Sequence, residues 1–274
     1  MPSSGAPACP ETGVRRDEGM VEIKTDGELD AMREAGRVVA RALAAVQEAA
    51  TPGVSLRELD EVARGVLAGA GATSPFLGYQ PGFAPIPFPA VICASVNDAV
   101  QHGIPSDYRL RDGDLLSVDC GARLDGWTGD AATTFSVGTP RPEDARLVAD
   151  TRAALEAGIA AATVGHRIGD ISHAVGSAAR RGGYGVPEDF GGHGIGRRMH
   201  EDPHIPNRGR PGRGFTLRPG LALAIEPMFL AGGSDACWTG EDGWTMYTAD
   251  GSRAAHIEHT IAVTESGPRL LTVL

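Results

Sequence analysis

Acidic residues inside apolar, strand-like segments constrain the fold of this chain more than any other feature. Carboxylates are rarely buried unless they pair with a cation or bind a metal. An ion pair with arginine or hydrogen bonds from backbone amides would explain any single buried carboxylate. No Lys or Arg, however, lies within four residues of Glu226. The chain must therefore fold in one of two ways. Either each carboxylate pairs with its own positively charged group, or the carboxylates converge on shared cations. The residues are Asp119, Asp130, Glu226 and Glu258.

Convergence of these carboxylates would predict a dinuclear metal centre. Like charges at close range cannot all stay ionised in a low-dielectric site, and two divalent cations would neutralise them. A carboxylate-rich site with one imidazole suits Co, Mn, Fe or Zn. The imidazole candidate is His193 in the run FGGHGIGR, where glycines allow close backbone approach. A glycine-rich turn with an exposed histidine is the alternative, and the spacing does not fit a dinucleotide fingerprint.

The other histidines divide into two groups. His102 and His200 lie in loops punctuated by glycine or proline, where functional residues concentrate, and both are candidates for the site. Histidines are commonly part-exposed, and most of the remaining ones are interpreted as solvated. His259, next to Glu258, points to the opposite face of its strand and is interpreted as structural. The histidines interpreted as solvated are His166, His173, His204 and His256.

The order of predicted elements indicates an α+β fold with two related halves and a cleft between them. The capping boxes Thr25-x-x-Glu28 and Ser55-x-x-Glu58 predict helices that end near 50 and 70. Two more helices are predicted at 142–162 and 170–181, so that two helices followed by antiparallel strands occur twice. The boundary falls near 138–143. Strands are predicted at 91–96, 115–122, 131–137, 221–229, 244–248, 255–263 and 270–273, with a loop at 78–89.

Composition is typical of a soluble globular protein. Of the 274 residues, 42% are hydrophobic and 22% are charged. The net charge of −10 disfavours nucleic-acid binding, and no apolar run or signal pattern predicts membrane insertion or export. A cytoplasmic location and free thiols for Cys9, Cys93, Cys120 and Cys237 are therefore expected. Residues 1–20 are predicted to be a disordered leader, and 21–274 a single catalytic domain.

Taken together, these segments resemble the type I methionine aminopeptidases. The resemblance runs from about residue 21 to the C-terminus. It depends on motifs that occur in the family's order, and on the eleven-residue spacing of Asp119 and Asp130. The motifs are SVNDAVQHGIP at 95–105, SVDCG at 117–121 with GDA at 129–131, GGHGIGR at 191–197 with HEDP at 200–203, IEPM at 225–228 and IEHT at 257–260.

The resemblance implies the pita-bread fold, whose two αβ halves are related by a pseudo-twofold axis, and it implies a role for each metal ligand. Asp119 would bind one metal, and His193 and Glu226 the other. Asp130 and Glu258 would bridge both. The implied activity is removal of the initiator methionine from nascent proteins and peptides whose second residue is small. The family suggests a monomer, and the function suggests transient contact with the ribosome.

The resemblance also implies which residues contact the substrate. His102 and His200 would hydrogen-bond the scissile peptide without binding metal, and Glu226 would shuttle the proton. The pocket for the methionine side chain would be formed by Tyr79, Phe88, Cys93, Met199 and Trp244. Two features depart from the family pattern. Met199 stands where an aromatic residue is common, and the loop at 80–87 is longer and richer in proline.

Other activities on the same fold remain open at this point. A proline-specific aminopeptidase or prolidase would usually carry a separate N-terminal domain, which residues 1–20 are too few to form. A metal-free hydrolase of small molecules such as creatine would lack the carboxylate set. A non-catalytic binding protein on this scaffold would have lost ligands, whereas this sequence carries all five ligand candidates.

Overall fold

The helices begin where the sequence supplies an N-terminal signal. In the computed structural model, which describes residues 21–188 and 190–274, Thr25 and Ser55 each exchange hydrogen bonds with the glutamate three residues later. Both predicted capping boxes are therefore confirmed. The leader predicted at 1–20 lies outside the described residues. The helices are α1 (Asp26–Ala49), α2 (Leu56–Gly69), α3 (Pro142–Ala161) and α4 (Ile168–Gly182).

The described strands pair antiparallel in four sheets. One sheet has the order β1-β3-β4, a second has β13-β12-β7-β5-β6, a third has β2-β10-β9, and the fourth pairs β11 with β8. The strands are β1 (Ile92–Val96), β2 (Ala99–Gln101), β3 (Leu115–Leu124), β4 (Trp127–Ser136), β5 (Gly191–Gly194), β6 (Glu201–Pro206), β7 (Ala222–Ile225), β8 (Met228–Leu230), β9 (Cys237–Thr239), β10 (Met246–Thr248), β11 (Ala254–His256), β12 (His259–Thr264) and β13 (Gly267–Leu270).

Several strand boundaries differ from the prediction. The strands predicted at 221–229 and 255–263 are each interrupted, the first after Ile225 and the second after His256. The first break coincides with Pro227, which has no N–H to donate to a ladder. The segment 191–194 is strand β5 and not a turn. It lies so close to β7 that a Cβ on Gly192 would come within 2.1 Å of the Ala224 carbonyl oxygen.

Helices cover the β1-β3-β4 sheet and the five-stranded sheet. Helices α1 and α2 pack on β1-β3-β4 through Val38, Leu59 and Val118. Helices α3 and α4 pack on the five-stranded sheet through Leu155 and Leu223, among others. The order of two helices and a sheet therefore occurs twice, as the sequence predicts. No helix of the described residues is long and apolar enough to cross a membrane.

Threonine hydroxyls join the first half of the chain to the second. Thr260 on β12 donates to the carbonyl oxygen of Asp130 at 2.7 Å and accepts its N–H at 3.0 Å. Thr134 on β4 donates to the carbonyl oxygen of His256 at 2.7 Å and accepts its N–H at 2.9 Å. Each hydroxyl therefore satisfies both backbone groups of one residue, as a neighbouring strand would do in a regular sheet. The acids on β4 and those near β12 are thereby held along one seam.

Candidate metal centre

Asp119 and Asp130 lie on one face of the β3–β4 hairpin. Asp130 is opposite Gly121 in the ladder, and Gly121 is two residues from Asp119, so the two acids occupy diagonal positions on the same face. The hairpin turns at Asp125 and Gly126, so Asp130 lies inside β4 and not before it as predicted. Cys93 on β1 pairs directly with Asp119 and lies on this face as well.

Glu226 and Glu258 project from the two strand interruptions. The carbonyl oxygen of Glu226 accepts a hydrogen bond from Asn207 Nδ2 at 2.9 Å. The N–H of Glu258 donates to the Ala132 carbonyl oxygen at 2.9 Å, and Glu258 is only 1% exposed. The backbone at each interruption is therefore fixed by a neighbouring element. A regular strand would have aligned these side chains with their ladder, whereas the breaks allow both to reach the seam.

The tautomer of His193 is set by its own backbone. Nδ1 lies 2.8 Å from the carbonyl oxygen of Gly194, which can only accept, so Nδ1 carries a proton. Nε2 lies 3.7 Å from Asp130 Oδ2 and 3.8 Å from Glu226 Oε1. Burial by itself lowers the pKa of His193, but these carboxylates outweigh it and the pKa is raised. An imidazole held in this way presents Nε2 to a cation between the acids.

The electrostatics of the carboxylates indicate a missing positive charge. Burial raises the pKa of Asp119 well above its usual range, and the Asp130 and Glu226 carboxylates raise it further. Burial likewise raises the pKa of Glu258 well above its usual range, with the same two neighbours adding to the shift. Asp119 Oδ1, Asp130 Oδ1 and Glu258 Oε1 are buried and lack a hydrogen-bond partner. Oxygens in this state are costly for a protein unless a cation binds them.

The donor atoms are close enough to hold divalent cations. Ligand atoms of Asp130, His193 and Glu258 lie within 4.8 Å of one another, and so do those of Glu226, His256 and Glu258. The two groups share Glu258. Hard carboxylate oxygens with imidazole nitrogen suit divalent transition metals. The residues present therefore fit the metal chemistry that the sequence predicts.

The prediction for His256 is wrong. The sequence indicated a solvated side chain, but His256 is 1% exposed and its Nε2 faces Glu226 and Glu258. Its backbone is held in this place by Thr134, which is 122 positions earlier in the chain. No local pattern could have shown this, although its position two residues before Glu258 places both side chains on one face of an extended segment.

His102 and His200 lie beside the carboxylates as neutral imidazoles. Burial lowers the pKa of His102 to about 4 despite the opposing effect of Glu226. Burial and the neighbouring His193 and His102 lower the pKa of His200 to about 3. The rings of His200 and His193 are 4.6 Å apart between centroids. Both residues can therefore donate a hydrogen bond at neutral pH without adding positive charge.

The backbones that carry these two histidines are anchored. His102 has a φ of +58°, and the next residue packs so tightly on β1 that a Cβ on Gly103 would lie 2.3 Å from the Ala94 carbonyl oxygen. His200 precedes Glu201, whose carboxylate binds Lys24 Nζ at 2.6 Å in a buried ion pair. A buried pair of this kind favours one arrangement of the segments it joins.

Apolar side chains form one wall of a cavity next to the candidate metal centre. The cavity of about 400 Å³ has the predicted carboxylates and histidines on one side. The indole N–H of Trp244 donates to the Ile86 carbonyl oxygen at 2.9 Å, which connects the wall to the proline-rich loop. The predicted pocket residues all line this cavity, namely Tyr79, Phe88, Cys93, Met199 and Trp244.

Sequence reasoning missed several lining residues. They include Phe76, Phe83, Gln101, Phe190 and His204. Phe83 is 50% exposed within the proline-rich loop, and an aromatic residue in such a loop is a signal that could have found it. Phe76 and Gln101 carry no comparable signal. Cys93 and Cys120 are buried free thiols, and Cys9 lies outside the described residues.

Comparisons with known proteins agree with this geometry. A family model described as metallopeptidase family M24 matches residues 30–265. Methionine aminopeptidase 1 of Mycobacterium tuberculosis is 51% identical over 94% of this chain and 97% of its own length. Methionine aminopeptidase 1 of Bacillus subtilis is 43% identical over 92% of this chain and 99% of its own length.

Solved structures show the same fold. The crystal structure of methionine aminopeptidase from Thermotoga maritima is 41% identical, with a TM-score of 0.88 over 93% of this chain and all of that one. The prolidase from Pyrococcus furiosus has a TM-score of 0.72 at 23% identity, and the match covers 92% of this chain but 65% of the prolidase. The pita-bread fold is thereby confirmed.

Proposed function

The chain belongs to metallopeptidase family M24, and on this premise we infer that it is a methionine aminopeptidase, which removes the initiator methionine from proteins and peptides. The observation that carries this inference is the set of buried carboxylate oxygens without a hydrogen-bond partner, beside a cavity with an aromatic and sulfur-containing wall. The acids supply a place for cations next to the reacting bond. The wall supplies a place for an unbranched, polarisable side chain.

Two divalent cations are proposed for the centre. Asp119 would bind one, His193 and Glu226 the other, and Asp130 and Glu258 would bind both. When bound, divalent cations supply a hydroxide nucleophile near neutral pH and polarise a carbonyl oxygen. The position of His193 Nε2 between Asp130 and Glu226, at 3.7 and 3.8 Å, supports this division. Co, Mn, Fe and Zn all suit the donor set.

The remaining polar groups of the cavity would position the peptide and move its proton. His102 and His200 are neutral donors whose N–H groups would hydrogen-bond the scissile peptide and the oxyanion that forms from it. Glu226 is the acid with a side chain that is 12% exposed, so it can reach a proton in the cavity. It would accept that proton and pass it to the leaving amine.

The apolar wall would select methionine. Phe88 and Trp244 contact each other edge to face, with ring centroids 5.1 Å apart, and Met199 lies on the same wall. A thioether packs favourably against such aromatic and sulfur groups. The ring centroids of Tyr79 and His200 are 5.5 Å apart, so the Tyr79 ring occupies space beside the proposed scissile bond. We expect the second substrate residue to be small for this reason.

The proposed setting of the reaction is the cytoplasm, where nascent chains present their N-terminal methionine. The enzyme would act as a monomer and meet the ribosome only transiently. The net charge of −10 supports the absence of specific nucleic-acid binding.

Metal analysis combined with peptide turnover tests the proposal. The purified protein should contain divalent metal and release methionine from a Met-Gly peptide. Chelation should abolish turnover, and adding back a divalent cation should restore it. Turnover that continues after complete chelation would refute the metal-dependent mechanism.

A peptide panel separates this activity from the prolidase alternative. Met-Ala and Ala-Pro peptides should be compared at equal concentration with the same metal-loaded protein. Methionine release from Met-Ala with no cleavage of Ala-Pro is the expected result. Preferential cleavage of Ala-Pro would assign the chain to the proline-specific branch of the fold, to which the likeness at 23% identity gives no support beyond architecture.

A further inference from the structure

A second buried imidazole lies in the metal centre, outside the ligand set proposed above. His256 ends β11 and is 1% exposed. Its Nε2 is 3.5 Å from Glu226 Oε2 and 3.8 Å from Glu258 Oε2, yet it forms no hydrogen bond among the described residues. A buried polar atom aimed at two carboxylates requires a functional explanation.

The surroundings of His256 fix both its place and its tautomer. Thr134 holds its backbone through the hydrogen bonds at 2.7 and 2.9 Å, so the residue cannot withdraw from the seam. Both groups that face Nε2 are carboxylates, which accept hydrogen bonds and do not donate them when ionised. A lone pair at Nε2 would repel these oxygens, whereas an N–H would attract them. An N–H at Nε2 is therefore favoured over a lone pair at this atom.

The carboxylate of Glu226 lies between two imidazoles, one on each oxygen. Oε1 is 3.8 Å from His193 Nε2, and Oε2 is 3.5 Å from His256 Nε2. The backbone of Glu226 is fixed by Asn207, but the described residues donate no hydrogen bond to its side-chain oxygens. Without a donor on Oε2, this side chain could rotate towards the open cavity. His256 is placed to prevent that rotation.

We propose that His256 is a positioning residue of the centre, whose Nε2–H is directed at Glu226 Oε2 from 3.5 Å and attracts it, and so keeps Oε1 directed towards the cation beside His193. The inference rests on the proposed function, because it takes Glu226 as a metal ligand. His256 acts through Glu226 and contacts neither the cation nor the substrate. Partners that orient a ligand in this way typically change metal affinity or activity by about 10–100-fold when they are removed.

Cation affinity of folded variants tests this role. His256→Ala removes the donor, and His256→Gln keeps an amide N–H at similar reach. Metal-free protein is titrated with Co²⁺ in a calorimeter, and kcat and KM for a Met-Gly-containing peptide are then measured on the loaded protein. His256→Ala should weaken Co²⁺ binding by about 10–100-fold, and His256→Gln should recover most of that loss. Turnover should follow the same order, with the larger effect on kcat.

A matched control uses the histidine on the other side of Glu258. His259 faces away from the centre and bonds Thr272 through Nδ1 at 2.8 Å, so His259→Gln should bind Co²⁺ as the unmodified protein does. The melting temperature of each metal-free variant identifies any loss caused by unfolding. If His256→Ala unfolds, His256→Gln still tests the role. It retains an N–H donor, so its Co²⁺ affinity should be close to that of the unmodified protein.

Two results would overturn the inference. One is wild-type Co²⁺ affinity and turnover in folded His256→Ala. The other is an equal loss in the Ala and Gln variants, which would show that packing of the ring matters and its N–H does not. Failure of the proposed function has a different signature, because the unmodified protein would then bind Co²⁺ but release no methionine.

Discussion

At the scale of single residues, the buried carboxylates should destabilise the protein when no cation is bound. Burial and neighbouring acids raise the pKa of Glu258 well above its usual range, so its ionised form is disfavoured in the fold. Glu258→Gln removes the ionisable group and keeps the shape of the side chain, so folding no longer has to take a carboxylate out of water. We expect it to raise the free energy of unfolding of the chelated protein by about 1 kcal/mol. The same change should abolish the stabilisation that added cations give.

Thermal unfolding with chelator and with excess Co²⁺ measures both effects. Glu265→Gln, in the exposed turn between β12 and β13, is the control for the substitution itself. It should change neither the chelated melting temperature nor the response to Co²⁺. A Glu258→Gln protein that is less stable than the parent in chelator, or that responds fully to Co²⁺, would contradict the prediction.

Two histidines of the cavity should separate metal binding from turnover. His193 presents Nε2 to the acids, so His193→Ala should remove metal and activity together. His102 is a neutral donor without a ligand role, so His102→Ala should keep its metal and lose roughly 100-fold in kcat, a typical loss for one oxyanion donor. Metal content by mass spectrometry and kcat on a Met-Gly peptide give the comparison. Full turnover in metal-replete His193→Ala would exclude its ligand role.

The sequence alone indicates the acids of the candidate centre, but not the contacts that hold them in place. Asp119 and Glu226 are visible because charged residues stand out among apolar neighbours. The interpretation of His256 was wrong because its place in the fold depends on distant segments, such as the strand that carries Thr134, 122 positions away. The chemical type of a residue can be read directly from the sequence. Its burial depends on segments that are distant in the sequence and come together only in the fold.

At the scale of elements, a threonine hydroxyl substitutes for a strand partner. Thr134→Val keeps the shape of the side chain but leaves the N–H and carbonyl oxygen of His256 without partners. Each buried, unsatisfied group costs about 1–3 kcal/mol. We therefore expect Thr134→Val to lower the free energy of unfolding by roughly 2–4 kcal/mol, and chemical denaturation in chelator measures the loss.

The neighbouring strand position supplies the control. Thr133 lies on the same strand, and its side chain forms no hydrogen bond among the described residues. Thr133→Val should change the free energy of unfolding by less than about 0.5 kcal/mol. Equal losses in the two variants would mean that the hydroxyl of Thr134 does not join the halves.

The N-terminus of α4 should give a pH-dependent stability. Asp170 accepts the N–H of Arg167 at 2.7 Å and that of Gly212 at 2.8 Å, and these bonds lower its pKa. A depressed pKa in the fold contributes stability that is present above the unfolded pKa of about 3.9 and is lost as pH falls through the folded value. Asp170→Asn should therefore destabilise the protein near neutral pH, by less than about 1 kcal/mol because solvent screens the carboxylate.

The difference between Asp170→Asn and its parent should shrink as pH falls from 7 to about 3. Urea denaturation in chelator at several pH values measures it. Asp107→Asn, at a side chain that is 88% exposed, should show no comparable trend. A difference that stays constant with pH would show that the charge of Asp170 does not contribute.

Helices could be predicted more closely than strands because their signals are local. A capping box fixes the start of α1 or α2 within four residues of sequence. The breaks after Ile225 and His256 interrupt apolar runs that look continuous, so the pattern predicted single strands. Strand β5 was not predicted because its glycines suggest a turn. Gly192 is in fact required because β7 lies too close to leave room for a side chain. The boundaries of a strand depend on the segments with which it pairs, and these segments cannot be identified from the local sequence.

At the scale of the whole molecule, one apolar cluster belongs to both halves. It joins Met32 of α1 and Trp127 of β4 to Ile195, Ala222 and other residues of the second half. The candidate metal centre lies along the same seam, with Asp119 and Asp130 from one half and Glu226 and Glu258 from the other. Neither half can complete the cluster or the centre by itself.

This arrangement predicts one cooperative unfolding transition that cations shift as a whole. Ligands that bind only the folded state stabilise it by about 2.7 kcal/mol at 100 times their Kd. Calorimetry of the chelated protein should therefore show a single transition over the described domain, and added Co²⁺ should move it upwards without splitting it. Glu258→Gln should show the single transition but no shift. Two transitions, of which Co²⁺ moves only one, would mean that the halves fold independently and that the centre belongs to one of them.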